Sequence, residues 1–211
     1  MSKIQANQIQ HTQNGAAVFT LPTSDGSANQ VIKTDGSGAL SFVTSTDTVG
    51  LTDFDTWILT GSFNGSVDPI SNNLTRYSVN GANYLGTGMS VSSGVWTFPS
   101  TGYWRITVKF RSQRMSGAQS THQKIEIKSS TDNFSSSDIL AVADSSYYDN
   151  YATGGRQVSG SASIIFDCTN TSTHKIRFAA VVDDNSGNGN EFLGSSTVGL
   201  TTFEFIKLAD T

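Results

Sequence analysis

From Trp57 onward the chain alternates apolar and polar residues with a period of two, the spacing of strands that bury one face. The run GYWRITVKFRS puts Trp104, Ile106, Val108 and Phe110 on one side and Tyr103, Arg105, Thr107, Lys109 and Arg111 on the other. That predicts a long, half-buried antiparallel strand. HQKIEIKSS repeats the pattern, with Ile125 and Ile127 against Lys124, Glu126 and Lys128, and HKIRFAAVV sets Ile176, Phe178, Ala180 and Val182 against Lys175 and Arg177. ASIIFDC and the closing LTTFEFIKL are instead nearly continuous in apolar or β-branched residues, as a strand covered on both faces would be. With DTWILTGSF, RYSVN, MSVSS, VWTFP and DILAVAD these make ten candidate strands separated by turn residues, and no stretch carries a helical period. The expectation is a sandwich or jelly roll.

The first 45 residues follow a different pattern. Short apolar runs, AAVFTL, QVIK and ALSFV, are punctuated by Asp25-Gly26 and Asp35-Gly36, which predicts strand, turn, strand, turn, strand. Before Val31 the large apolar residues are Ile4, Ile9, Phe19 and Leu21, with Val18 beside them. So few cannot close a core, and isolated hairpins of this size are marginal in water. Residues 1–45 are therefore expected to form a β-arm or stem completed by other chains, with Ile4, Ile9, Phe19 and Leu21 as its contact residues. Residues 46–56, small and acidic, are expected as a hinge, and 57–211 as the head. The overall class is all-β: a short-strand arm followed by a jelly-roll sandwich.

Composition narrows the function. Only 14% of the 211 residues are charged, and the formal net charge is -4. Without a basic footprint, nucleic acid is not an expected partner. SKIQANQIQHTQNG lacks the apolar centre of a secretory signal, and no later run reaches the ~20 apolar residues of a membrane span. Neither export nor membrane insertion is expected. A single cysteine, Cys168, excludes an intrachain disulfide, fits a reducing compartment, and reads as a buried small hydrophobe within SIIFDCTN.

Little catalytic chemistry is visible. His11, His122 and His174 stand apart with no metal-binding spacing, and Asp183-Asp184, adjacent at a strand end, would point apart. GTG at 86–88 reads as turn material. DNSGNG, from Asp184 to Gly189, offers half of a calcium loop, but Ser195 stands where the bidentate Glu belongs, so a loop is preferred over a metal site. No enzyme activity, cofactor or metal is expected. In DSSYYDNYATGG, Tyr147, Tyr148 and Tyr151 are candidate surface contacts, because tyrosine presents a rigid ring with a polar tip.

Two resemblances sharpen the picture. YLGTGMSVSSGVWTFPSTGYWRITVKF, with Val95, Trp96, Phe98, Pro99, Gly102 and Tyr103, resembles the opening of the head shared by complement-type and tumour-necrosis-factor-like domains, and the Phe-rich closing strand resembles that family's ending. The resemblance implies a ten-stranded jelly roll packed as a homotrimer, with the last strand facing the threefold axis; Phe203 and Phe205 are then candidate trimer-interface residues. Separately, ANQIQ followed by LPTSDGSANQVIKTDGSGALSFV resembles a segment of fibre and appendage proteins of tailed bacteriophages, particularly cyanophages, where it precedes an adhesin-like head.

Together these imply a non-enzymatic virion protein made in the host cytoplasm: a homotrimeric short fibre or spike, its arm held by other virion proteins and its head contacting a host-surface glycan or protein. Two alternatives are a trimeric capsid decoration protein and a lectin-like glycan-binding module.

Overall fold

A computed structural model of the chain describes residues 7–10, 18–44, 51–79, 81–114, 122–146, 156–182 and 190–211. Among these every regular element is a β-strand. The chain divides into two compact units, Met1–Gly50 and Leu51–Thr211.

The first unit holds β1 (Gln8–Gln10), β2 (Val18–Thr20), β3 (Gln30–Thr34) and β4 (Leu40–Thr44). β1 and β2 pair antiparallel with Ile9 opposite Phe19, and β3 and β4 form a second antiparallel pair with Ile32 opposite Phe42. The second Asp-Gly pair makes the expected hairpin turn. Asp35 Oδ1 accepts from the N–H groups of Ser37 at 2.8 Å and Ala39 at 3.0 Å, while Gly36 and Gly38 supply φ values of 81° and 99°. Those two N–H bonds, Ser37 first, hold the Asp35 carboxyl below its ordinary range.

The first Asp-Gly pair does not. β2 turns back to β1 instead of on to β3, because Leu21–Asn29 contains Pro22, which has no N–H for a ladder, and Gly26 lies against the Phe42 ring. A Cβ at Gly26 would stand 2.6 Å from Phe42 Cδ1. The two strand pairs are joined by a parallel bridge, with Thr20 N donating to Gly38 O at 2.8 Å.

The second unit contains β5 (Phe54–Leu59), β6 (Phe63–Asn64), β7 (Leu74–Arg76), β8 (Ser90–Ser92), β9 (Val95–Thr97), β10 (Gly102–Arg114), β11 (His122–Ser130), β12 (Asp138–Ser146), β13 (Arg156–Cys168), β14 (Lys175–Val182), β15 (Asn190–Phe192) and β16 (Thr202–Ala209). β5 begins at Phe54, so Phe54–Thr56 belong to the head rather than to the expected hinge. A strand over RYSVN, Arg76–Asn80, is not found: the strand here is Leu74–Arg76, which shares only Arg76 with it, and Tyr77–Val79 lie outside any strand.

The strands make two facing sheets. In one, β10 is paired along its whole length by β13 on one side and by β16 and then β15 on the other; β5 and β7 continue beyond β16, and β6 beyond β15. The other runs β12-β11-β14-β9-β8. All these ladders are antiparallel. The inward residues of β10 predicted from alternation, Trp104, Ile106, Val108 and Phe110, are all buried. At the core's centre the Trp96 ring lies 4.9 Å from Phe205, 5.0 Å from Trp57 and 6.0 Å from both Phe178 and Phe203, centroid to centroid. Large rings from both sheets fill the space between them, each contributing about 1.5–3 kcal/mol through burial.

Candidate functional site

Asp55 is the most enclosed carboxylate of the described head, 1% exposed on the inward side of β5. Four donors surround it: Met89 N at 2.7 Å, Trp57 Nε1 at 2.8 Å, Arg76 Nε at 2.9 Å and Arg76 Nη2 at 3.1 Å. The guanidinium also donates to Met89 O at 2.7 Å and lies over the rings of Trp57 and Tyr84 at 5.0 and 4.3 Å. GTG, read from sequence as turn material, wraps this cluster. Gly86 and Gly88 take φ values of 74° and 71°, and a Cβ on Gly88 would fall 2.8 Å from both Arg76 Nη2 and Asp55 Oδ2. With its acceptor positions filled, Asp55 serves as a clamp on the β7–β8 connection rather than as a base.

Several other charged groups also meet partners. Outside the second sheet, Lys128 Nζ lies 2.7 Å from Asp68 and 3.4 Å from Glu126, Lys124 Nζ lies 3.0 Å from Glu126, and Arg177 Nε lies 3.3 Å from Asp68. The hydrogen bond to Asp68 is the main cause that raises the Lys128 pKa. His174 sits between the hydroxyls of Thr169 at 3.0 Å and Thr173 at 3.2 Å, and His122 Nδ1 is 3.7 Å from Asp144. Among the described residues no group of three His, Cys, Asp or Glu side chains could hold a metal ion. Cys168 is buried, and that burial raises its thiol pKa.

The outward face of the first sheet follows from register. β13, β10, β16 and β5 line up Ile165, Arg105, Ile206 and Phe54 in one row, then Ser163, Thr107, Glu204 and Thr56 in the next. Thr107 and Ser163 share a hydrogen bond at 2.9 Å, and Arg105 reaches Glu204 at 3.4 Å. Ile165 is 65% exposed, and Tyr103 and Leu208 are exposed with it. A shallow depression of ≈ 460 Å³ on this face lies between Lys109, Arg111, Ser159, Ser161 and Leu200. Arg111 also donates to Gln157.

This placement corrects the expectation for Phe203 and Phe205. Both are 0% exposed within the protomer and point at Trp96 and Phe178, so neither can meet another subunit. The closing strand was expected to be apolar on both faces, but its outward positions are Thr202, Glu204 and Ile206. The apolar residues left in solvent are elsewhere. Besides Ile165 on β13, an edge strand, the other sheet's edge strand β12 exposes Ile139, Leu140 and Val142. A bulge at Leu140 puts Ile139 and Val142 out of strict alternation, which hid this exposure from the sequence pattern. β12 and β13 pack beside each other, and Gly160 permits their approach; a Cβ there would meet Asp144 O at 3.0 Å.

In the first unit Ile9 and Phe19 are an exposed cross-strand pair, and Leu21 is half-buried. Ile4, the tyrosines 147, 148 and 151, and the 184–189 loop lie outside the described residues.

No family model matches the chain, and no curated protein does. Solved structures do. The Eiger TNF of S. frugiperda aligns with a TM-score of 0.56 and 10% identity, over 77% of this chain and 96% of that one. Murine APRIL, in a crystal structure at pH 5.0, aligns with a TM-score of 0.51 and 10% identity, over 74% of this chain and 98% of that one. At such identity the likeness is one of fold. This chain carries a jelly roll of the tumour-necrosis-factor type.

Proposed function

We propose that the chain is a non-enzymatic bacteriophage virion protein, a homotrimeric short fibre or spike whose N-terminal residues attach it and whose jelly-roll head contacts the host surface. One observation carries this reading. No described residue of the N-terminal unit is buried, yet its strands align Ile9 with Phe19 and Ile32 with Phe42, and Ile9 and Ile32 are each 55% exposed. Ordered strands with exposed apolar pairs require a partner surface to become stable. Sister chains or another virion protein would supply it, and the order of Leu21-Pro22, the Asp-Gly pairs and Leu40-x-Phe42 resembles that of phage appendage segments. On the head, exposed Ile165 and the apolar edge strand β12 support self-association. Three heads on one axis would turn a weak contact into avid binding.

A second reading, a trimeric capsid decoration protein, is favoured by the arm's strands of only three to five residues, which suit a grip on a shell better than a shaft. Electron microscopy of intact particles with gold-labelled antibody to the head separates the two. Gold on tail structures supports the fibre, and gold over the capsid supports decoration. Particles without gold contradict both.

A further inference from the structure

Between β5 and β7 the chain folds into a loop that encloses a cleft of ≈ 230 Å³. The loop is fastened to both sheets. Val67 and Ala180 exchange two backbone hydrogen bonds of 2.9 Å, Ile70 N donates to Phe178 O at 2.8 Å, and Gly65 N donates to Asn190 O at 3.1 Å. Two loop side chains act as anchors: Ser66 Oγ accepts from Val182 N at 3.0 Å, and Asn73 Nδ2 donates to Gly61 O at 3.3 Å. The Phe63 ring is stacked on Phe192 at 5.2 Å. The cleft is thus formed before any ligand arrives, so binding need not order it.

Its lining has two parts. Phe63, Val67 and Ile70 give an apolar wall. Asn64, Ser71 and Asn72 stand on the exposed rim, and their side chains make no hydrogen bond within the protein. Amides and a hydroxyl offer both donors and acceptors, as a hydroxyl on a ligand does. No ionisable side chain lines the space. The volume lies below the roughly 300–1,000 Å³ of drug-sized pockets.

We propose that this cleft binds one neutral pyranose ring of a surface glycan. The ring's C–H face lies on the Phe63 side, and its hydroxyls meet Asn64, Ser71 and Asn72. An apolar wall beside uncharged, unengaged donors and acceptors fits a neutral sugar, while an anionic one finds no cation to offset its desolvation. This deepens the proposed adhesion by naming its ligand class, and it rests on that reading.

Saturation-transfer NMR of the full chain with methyl glucoside, methyl mannoside, methyl galactoside and methyl N-acetylglucosaminide tests it, with methyl sialoside as the charged control. The expected result is transfer to at least one neutral glycoside, strongest on the C–H protons of one ring face. The dissociation constant should be on the order of 1–10 mM, as a ligand this small allows. Affinity should fall at least about tenfold in the double variant N64A/N72A, whose exposed, unbonded side chains are not needed for folding. Transfer to no neutral glycoside, transfer undiminished in the variant, or equal transfer to the sialoside overturns the proposal. A protein that labels particles yet ignores every glycoside loses the cleft assignment and keeps its virion role.

Discussion

Arg76 grips both oxygens of Asp55, with Nε 2.9 Å from Oδ1 and Nη2 3.1 Å from Oδ2, across 21 positions of sequence. Removing the guanidinium strands a buried carboxylate with two fewer donors. Arg76→Met is expected to cost about 3–5 kcal/mol, read as a lower midpoint in chemical unfolding. Arg76→Lys restores charge without the planar fork and should recover only part of that loss. An unchanged midpoint in Arg76→Met would show that the clamp is not made in solution.

The Asp132 turn gives a pH signature. Ser130 Oγ donates to Asp132 Oδ1 at 2.6 Å, and Ser136 donates through its N–H at 3.0 Å and its hydroxyl at 2.7 Å. These bonds, the Ser130 hydroxyl first, lower the carboxyl from 3.8 to about 2. A carboxyl depressed on folding contributes its stabilisation fully above the unfolded value of 3.8 and loses it as pH falls through about 2. Carboxyl-carbon NMR should place the Asp132 midpoint near the lower value, and Ser130→Ala should move it upward. A midpoint near 3.8 in the native protein would contradict the turn.

Cys168 should resist thiol reagents. The side chain is buried, and burial raises its pKa, which lowers the thiolate fraction at neutral pH. Native protein is expected to react far more slowly with a water-soluble disulfide reagent than protein in denaturant, where one thiol per chain should appear. Rapid labelling of native protein would mean that the β13 end opens readily.

The two apolar sets of the head predict opposite phenotypes. Phe203 is fully enclosed, so Phe203→Ala should cost about 3–5 kcal/mol of protomer stability. Ile165 faces solvent, so Ile165→Asp should alter protomer stability by less than about 0.5 kcal/mol while weakening association, seen as a mass that falls on dilution. A folded Ile165→Asp variant whose assembly matches the parent would remove β13 from the interface.

Local periodicity carried much of this fold. The alternation in Trp104, Ile106, Val108 and Phe110 named their face correctly because side-chain direction along a strand is a local property. β15 leaves no local signal because Asn190–Phe192 is short and mostly polar, and its strand character comes from pairing with β10 and β6. The family resemblance implies a subunit interface for Phe203 and Phe205 but does not say which face of the closing strand looks inward; the register against β10 and β5 decides it. Asp25-Gly26 and Asp35-Gly36 look alike in sequence, yet only the second has strands free to pair on both sides. The Asp55–Arg76 clamp and the saccharide cleft join residues brought together by the long β5–β7 loop, which no local pattern discloses.

In the proposed assembly this chain completes itself with two further copies. Multi-angle light scattering on the purified full chain, eluting from a sizing column over a range of concentrations, measures that directly. The predicted mass is three times the 22.5 kDa of one chain, stable on dilution. A single-chain mass at every concentration would contradict it.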